Sequence, residues 1–162
     1  MANATCAGID PCDLETDIEK ALGGCKELTN ADLFGANLPN ADLTDADLFN
    51  ANLSYANLED ANLVFAYLSD ADLSGANLSG ANLYYANLEG AYLEDAYLEG
   101  ATLTNANLEN ATLTNANLAF ANLENANLTN ANLTDANLTN ADLSYANLTG
   151  VIWENTTCPD GT

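Results

Sequence analysis

The chain has 162 residues, with 24 Asp or Glu against two Lys, no Arg, His or Gln, and a formal charge of −22. Two cations, Lys20 and Lys26, cannot displace the counterions of a nucleic-acid backbone, and they offer as little to an anionic membrane. No apolar run approaches the roughly 18 residues of a spanning helix, and the 48% apolar content is too high for charge-driven disorder.

Residues 1–25 are expected to form an N-terminal cap. Met1-Ala2-Asn3-Ala4 holds no apolar leader and reads as the stub left once a leader has been removed. The stretch that follows predicts a short helix over about 13–22. Asp13 stands at its N-cap, acids fill the first turn and Gly23 is the stop signal. Leu14, Ile18 and Leu22 recur every four residues, a stripe fit to lie across the next layer of the fold.

Residues 26–155 are dominated by one pattern. Ala stands at every fifth position from Ala31 to Ala146 and Leu at every fifth from Leu33 to Leu148, giving 24 unbroken pentapeptides over 31–150. Five residues advance an α-helix by about 500°, so the leucines would wind around it instead of forming a stripe. In a continuous strand the odd period would flip each leucine to the opposite face. The pattern works only if the chain bends once per repeat. Ala-(Asn/Asp)-Leu is then an inward-outward-inward strand, and the last two residues turn a corner. Corners of about 90° close after four repeats, so residues 20 apart stack at about 4.8 Å as parallel strands. Asn or Asp precedes Leu except at Tyr67, Tyr92, Tyr97, Thr102 and Thr112, and these side chains are expected to hydrogen-bond the corner backbone.

The run of Ala-(Asn/Asp)-Leu motifs resembles the pentapeptide-repeat family, whose motif passes from a small residue through Asp or Asn to a central Leu or Phe. The resemblance implies an all-β fold, a right-handed quadrilateral parallel β-helix, in agreement with the corner argument. About six coils are expected, with the short α-helix as N-terminal cap. Residues 156–162 are expected to be a tail. It resembles the endings of exported members of this family in photosynthetic bacteria, which points to the periplasm or thylakoid lumen, with the cytoplasm as alternative.

Solenoids need covered ends. Val151, Ile152 and Trp153 break the repeat and are expected to form a C-terminal lid, a dimer through that end being the alternative to a monomer. Cys6, Cys12 and Cys25 precede the tube and Cys158 follows it. Six coils put about 29 Å between them, beyond the roughly 7 Å that a disulfide tolerates. Among the first three, Cys6–Cys25 is the preferred bridge, because the helix holds Cys12 away from Cys25. A wall without loops, lacking His, Arg and any CxxC pair, leaves no catalytic, cofactor or metal site expected.

The 20-residue map brings Val64 and Phe65 beneath Tyr84 and Tyr85, with Tyr67 round the next corner. These five form a candidate interaction patch, the alternative being aromatic stacking that only stabilises the wall. Glu89, Glu94, Asp95, Glu99 and Glu109 form an acidic belt, read as solvated surface or as a recruiter of cations or a basic partner. The function expected is a non-enzymatic structural or protein-interaction module whose partner is unknown. A known branch of the family supplies the alternative, acidic tubes that mimic duplex DNA and bind type II topoisomerases such as DNA gyrase.

Overall fold

The computed structural model describes residues 16–160. Single-residue parallel bridges link positions 20 apart, from Glu27 with Asp47 to Asn137 with Thr157, one in every pentapeptide. Four repeats therefore complete one coil, and the chain is a four-sided parallel β-helix. Leu33 to Leu138 line its axis at 1% exposure or less, with the alanines packed between them.

A mid-tube repeat with Asn or Asp at its second position accounts for every backbone donor it has, as buried peptide groups require. The repeat of Ala81 shows the scheme. Ala81 N–H closes the corner onto Leu78 O at 3.0 Å, and Asn82 N–H reaches back one coil to Ala61 O at 2.9 Å. Leu83 and Tyr85 N–H reach forward one coil, to Thr102 O and Thr104 O at 2.7 and 3.1 Å. Only the fourth N–H has no backbone acceptor, and it donates to the side chain two residues earlier, Tyr84 N–H to Asn82 Oδ1 at 3.2 Å. Every Asx of the second position from Asp32 to Asn147 accepts such a bond, at 2.9–3.3 Å, except Asn37. Two residues after Asn37 stands Pro39, which has no N–H to give. The same amides also form one-way ladders along the tube: Asn147, Asn127 and Asn107 each donate Nδ2 to the Oδ1 of the residue 20 earlier, ending on Asn87, at 3.0–3.3 Å.

The helix is shorter than expected. α1 spans Asp17–Gly23, with Thr16, not Asp13, as its N-cap. Thr16 is extended (φ −116°, ψ 151°) and closes a capping box with Glu19, which fixes the first turn there. Asp13 and Leu14 lie outside the described residues. The expected stripe is also corrected: Ala21 is buried and Ile18 packs on the core, but Leu22 is 55% exposed. The first coil lacks a neighbour to receive the Asp32 N–H, and Asp17 Oδ2 accepts it at 2.8 Å. One coil on, the equivalent donor, Asn52 N–H, goes to Ala31 O at 2.9 Å. A side chain of α1 thus stands in for the missing rung.

At the far end the tube continues past the boundary expected at 155. Leu138 N–H donates to Thr157 O at 2.8 Å and Asn140 N–H to Pro159 O at 2.7 Å, so 156–160 form a further repeat with Cys158 in the leucine register. The residues expected as a lid divide between two roles. Val151 is partly buried and Trp153 takes the leucine register at 37% exposure, while Ile152 joins the outward column above Asn132 and is 50% exposed.

Candidate interaction surface

The corner geometry decides which residues belong at the fifth position. From Asn30 to Asn155 every one of them holds φ between +53° and +73°. Asn, Asp and Gly visit this left-handed region readily, whereas other side chains give up about 1–2 kcal/mol there. Five aromatic residues nevertheless occupy it: Tyr55, Phe65, Tyr85, Phe120 and Tyr145. Phe65 and Tyr85 share one corner.

Around that corner the rings are in contact. Phe65 stacks on Tyr85 with centroids 5.6 Å apart and meets Tyr84 edge-on at 6.3 Å; Tyr84 and Tyr85 form a T at 4.5 Å. Partial desolvation by this cluster, then the neighbouring Tyr85 hydroxyl, raises the pKa of Tyr84 above the ordinary phenol value. Val64 is half-buried behind the rings. Phe65, Tyr85 and Tyr67 keep about half of their surface in solvent. Tyr67 lies outside the three ring pairs and occupies the outward column above Asp47, on the adjoining face.

Tyr67 carries a cost of its own. In most repeats reading Asn-Leu-Ser or Asn-Leu-Thr, the fourth-position hydroxyl donates to the Asn side chain, as Ser54, Thr129, Thr134, Thr139 and Thr149 do at 2.6–2.7 Å; Ser79 beside Asn77 gives only its N–H. The repeat Tyr67-Leu68-Ser69 has no such acceptor. Ser69 is 7% exposed and its Oγ makes no hydrogen bond. A buried hydroxyl without a partner costs about 1–3 kcal/mol. The sequence signal for it was present, a Tyr where Ser two residues on needs an Asx.

The acidic belt does not gather at one place. Glu94 and Asp95 turn one corner, Glu99 turns the next, and Glu89 and Glu109 stack in a third column. Glu94, Glu99 and Glu109 already accept hydrogen bonds, from Ser74 Oγ, Asn117 Nδ2 and Asn127 Nδ2. Among the described residues no three acids or Cys converge as a metal would need. Two features went unread in the sequence. Phe34 and Tyr55 form a second edge-to-face pair at 5.8 Å, 21 residues apart on one corner. An open depression of about 330 Å³ lies on the next face, lined by Asp70, Asp72, Tyr92 and Glu94 among others.

Charge and aromatic surface travel together. Residues 32–99 hold twelve acids and nine exposed aromatics, whereas 101–150 hold four and two. The second half of the tube shows mainly Asn and Thr. Cys25 is disulfide-bonded and buried, and Cys158 is free. The pairing expected with Cys6 lies outside the described residues. No helix among the described residues is long and apolar enough to cross a membrane.

A family model described as Pentapeptide repeats matches in eight copies, over residues 27–63, 61–98, 91–130 and 116–152. Among solved structures, HetL from the cyanobacterium Nostoc sp. strain PCC 7120, a pentapeptide repeat protein involved in heterocyst differentiation regulation, is 34% identical. The match covers 83% of this chain and 75% of HetL, with a TM-score of 0.48. A pentapeptide repeat protein from the thylakoid lumen of Arabidopsis thaliana is 30% identical over 68% of this chain and 66% of its own, with a TM-score of 0.43. QnrB1, a plasmid-mediated fluoroquinolone resistance protein, shares the fold at 17% identity, over 80% of this chain and 75% of its own, with a TM-score of 0.50. No curated protein matches the chain.

Proposed function

The chain belongs to the pentapeptide-repeat family, and on that footing we propose that it is a non-enzymatic protein-interaction module. In this reading a rigid acidic rod of about six coils engages a protein partner through Val64, Phe65, Tyr67, Tyr84 and Tyr85. One observation carries it: two kinds of local cost meet around this patch. Phe65 and Tyr85 hold a left-handed φ that Asn, Asp or Gly would hold freely, and Tyr67 leaves Ser69 Oγ unbonded. Strain of this kind persists where a surface serves something besides its own stability. Replacing Phe65 and Tyr85 together by Ser tests the reading. Partner capture from the source organism's extract should disappear while the circular dichroism spectrum is kept; capture that survives the double change refutes it.

The charge of −22 on a rod supports a second reading, a duplex-DNA mimic that binds a type II topoisomerase such as DNA gyrase. The placement of the acids weighs against it, since a mimic needs carboxylates along its whole length and residues 101–150 carry only four. Inhibition of gyrase supercoiling at submicromolar protein would reverse this preference. The disulfide at Cys25 supports residence in an oxidising compartment, the periplasm or thylakoid lumen, over the cytoplasm. Trp153, 37% exposed, and the only partly buried Leu148 support a dimer through the C-terminal end as the alternative to a monomer.

A further inference from the structure

We propose that the Phe65–Tyr67–Tyr85 corner docks an arginine-bearing segment of its protein partner, guanidinium groups lying against the rings beside Asp45 and Asp47. This rests on the reading of that corner as an interaction surface. The two acids are neighbours of the rings by register. Asp45 N–H donates to Val64 O at 2.9 Å, which places Asp45 directly beneath Phe65 in the same corner column. Asp47 is bridged to Tyr67 on the adjoining face. Rings and carboxylates thus alternate one coil apart, about 4.8 Å, within reach of one extended cationic side chain.

Charge and solvation select the occupant. An apolar partner would strip water from both carboxylates and leave them unpaired, which is strongly unfavourable. An anionic partner meets a chain of charge −22. A cation satisfies both parts of the surface, since an aromatic face attracts positive charge through its quadrupole. The molecule does not supply that cation itself. Among the described residues, Lys20 pairs with Asp17 and Lys26 with Asp42, and neither pair includes Asp45 or Asp47. Arginine fits better than lysine, because its planar, weakly hydrated guanidinium stacks on rings and presents a fork of donors to a carboxylate. The same mixture of ring and acid continues only through residues 32–99, so the segment should run along that half of the rod.

The test titrates the full chain in 0.15 M salt with two capped peptides, Arg-Gly-Arg-Gly-Arg and Lys-Gly-Lys-Gly-Lys, followed by calorimetry. The arginine peptide should bind at least about fivefold more tightly. The Phe65→Ser/Tyr85→Ser pair and, separately, the Asp45→Asn/Asp47→Asn pair should each remove that preference, while Asp135→Asn/Asp142→Asn at the far end should not. Equal binding of the two peptides, or a preference indifferent to the rings, overturns the proposal and leaves diffuse electrostatics as the explanation. The interaction reading is scored apart from it. If partner capture needs Phe65 and Tyr85 but the arginine preference is missing, only the arginine inference falls; if capture ignores the rings, both fall.

Discussion

Replacing Tyr67 by Asn should make the protein more stable and less able to bind. The new amide would supply what the Ser54 repeat possesses: an acceptor for the fourth N–H and for the hydroxyl, held there at 3.2 and 2.6 Å. It would also add a rung to the ladder that now ends at Asn87. The N–H bond and the ladder rung contribute about 1 kcal/mol each, and a partner for the orphaned Ser69 hydroxyl about 2. Against this stands the ring. Tyr67 is half-exposed, so roughly 100 Å² returns to water, a loss of about 2–3 kcal/mol. The balance is a gain of about 1–2 kcal/mol, or a melting temperature raised by roughly 3–6 °C for a domain of this size.

Calorimetry of four proteins measures it: the parent, Tyr67→Asn, Ser69→Ala and the double variant. Ser69→Ala should be neutral or stabilising in the parent, where the hydroxyl has no partner, and should cost about 1 kcal/mol beside the new amide. A lower melting temperature for Tyr67→Asn, with no coupling to Ser69, would refute the reasoning. Tyr67 would then be a wall-stabilising residue, and the costs at the corner would no longer argue for binding.

Tyr145 offers a cleaner measure of the left-handed cost, since it is 85% exposed at φ 60° and pairs with no ring. Tyr145→Asn should raise stability by about 1 kcal/mol, and no change in the melt would show that the corners absorb aromatics freely. Asn87→Ala removes the acceptor of both Glu89 N–H and Asn107 Nδ2, so the melting temperature should fall by several degrees, for a loss of about 1–2 kcal/mol. Asp17 has its pKa lowered from 3.8 by the Asp32 N–H first and by Lys20 after it. Because the folded value lies below the unfolded one, the cap's contribution is complete above about pH 3.8 and disappears as pH falls through the folded value. Hydrogen exchange at Asp32, corrected for its intrinsic rate, should accelerate below that pH, and Asp17→Asn should remove the dependence.

The period of five, with Ala and Leu in fixed register, was enough to derive four sides and a filled axis, and the 20-residue map placed Phe65 under Tyr84 and Tyr85. What escaped the sequence has physical causes. Asn, Asp and Gly at the fifth position look like any turn, so the left-handed φ that makes Tyr85 costly was not visible. Thr16 with Glu19 spelled a capping box, but Asp13 followed by acids looked equally good as a start. Thr156 to Asp160 lack the motif's Ala and Leu, yet the preceding coil offers Leu138 and Asn140 donors that any backbone can accept. Ser69 was missed because its significance is a missing partner, which appears only when one repeat is compared bond by bond with another.

The one-residue bridges recurring at a spacing of 20 act as a positional address, and the leucine axis is indifferent to it. Delete a single pentapeptide between Tyr67 and Tyr84, and every Ala and Leu still finds an equivalent slot, so the interior would not register the loss. Outside, everything downstream would swing through a quarter-turn. Tyr84 and Tyr85 would come to rest over Glu59 and Asp60, on a different side of the shaft from Phe65. Removing a whole coil instead would keep every column straight. Length can therefore drift in fours at little cost, while any other number scrambles the exterior, and a tube with such a forgiving centre can still be held to an exact count of repeats by whatever reads its outside.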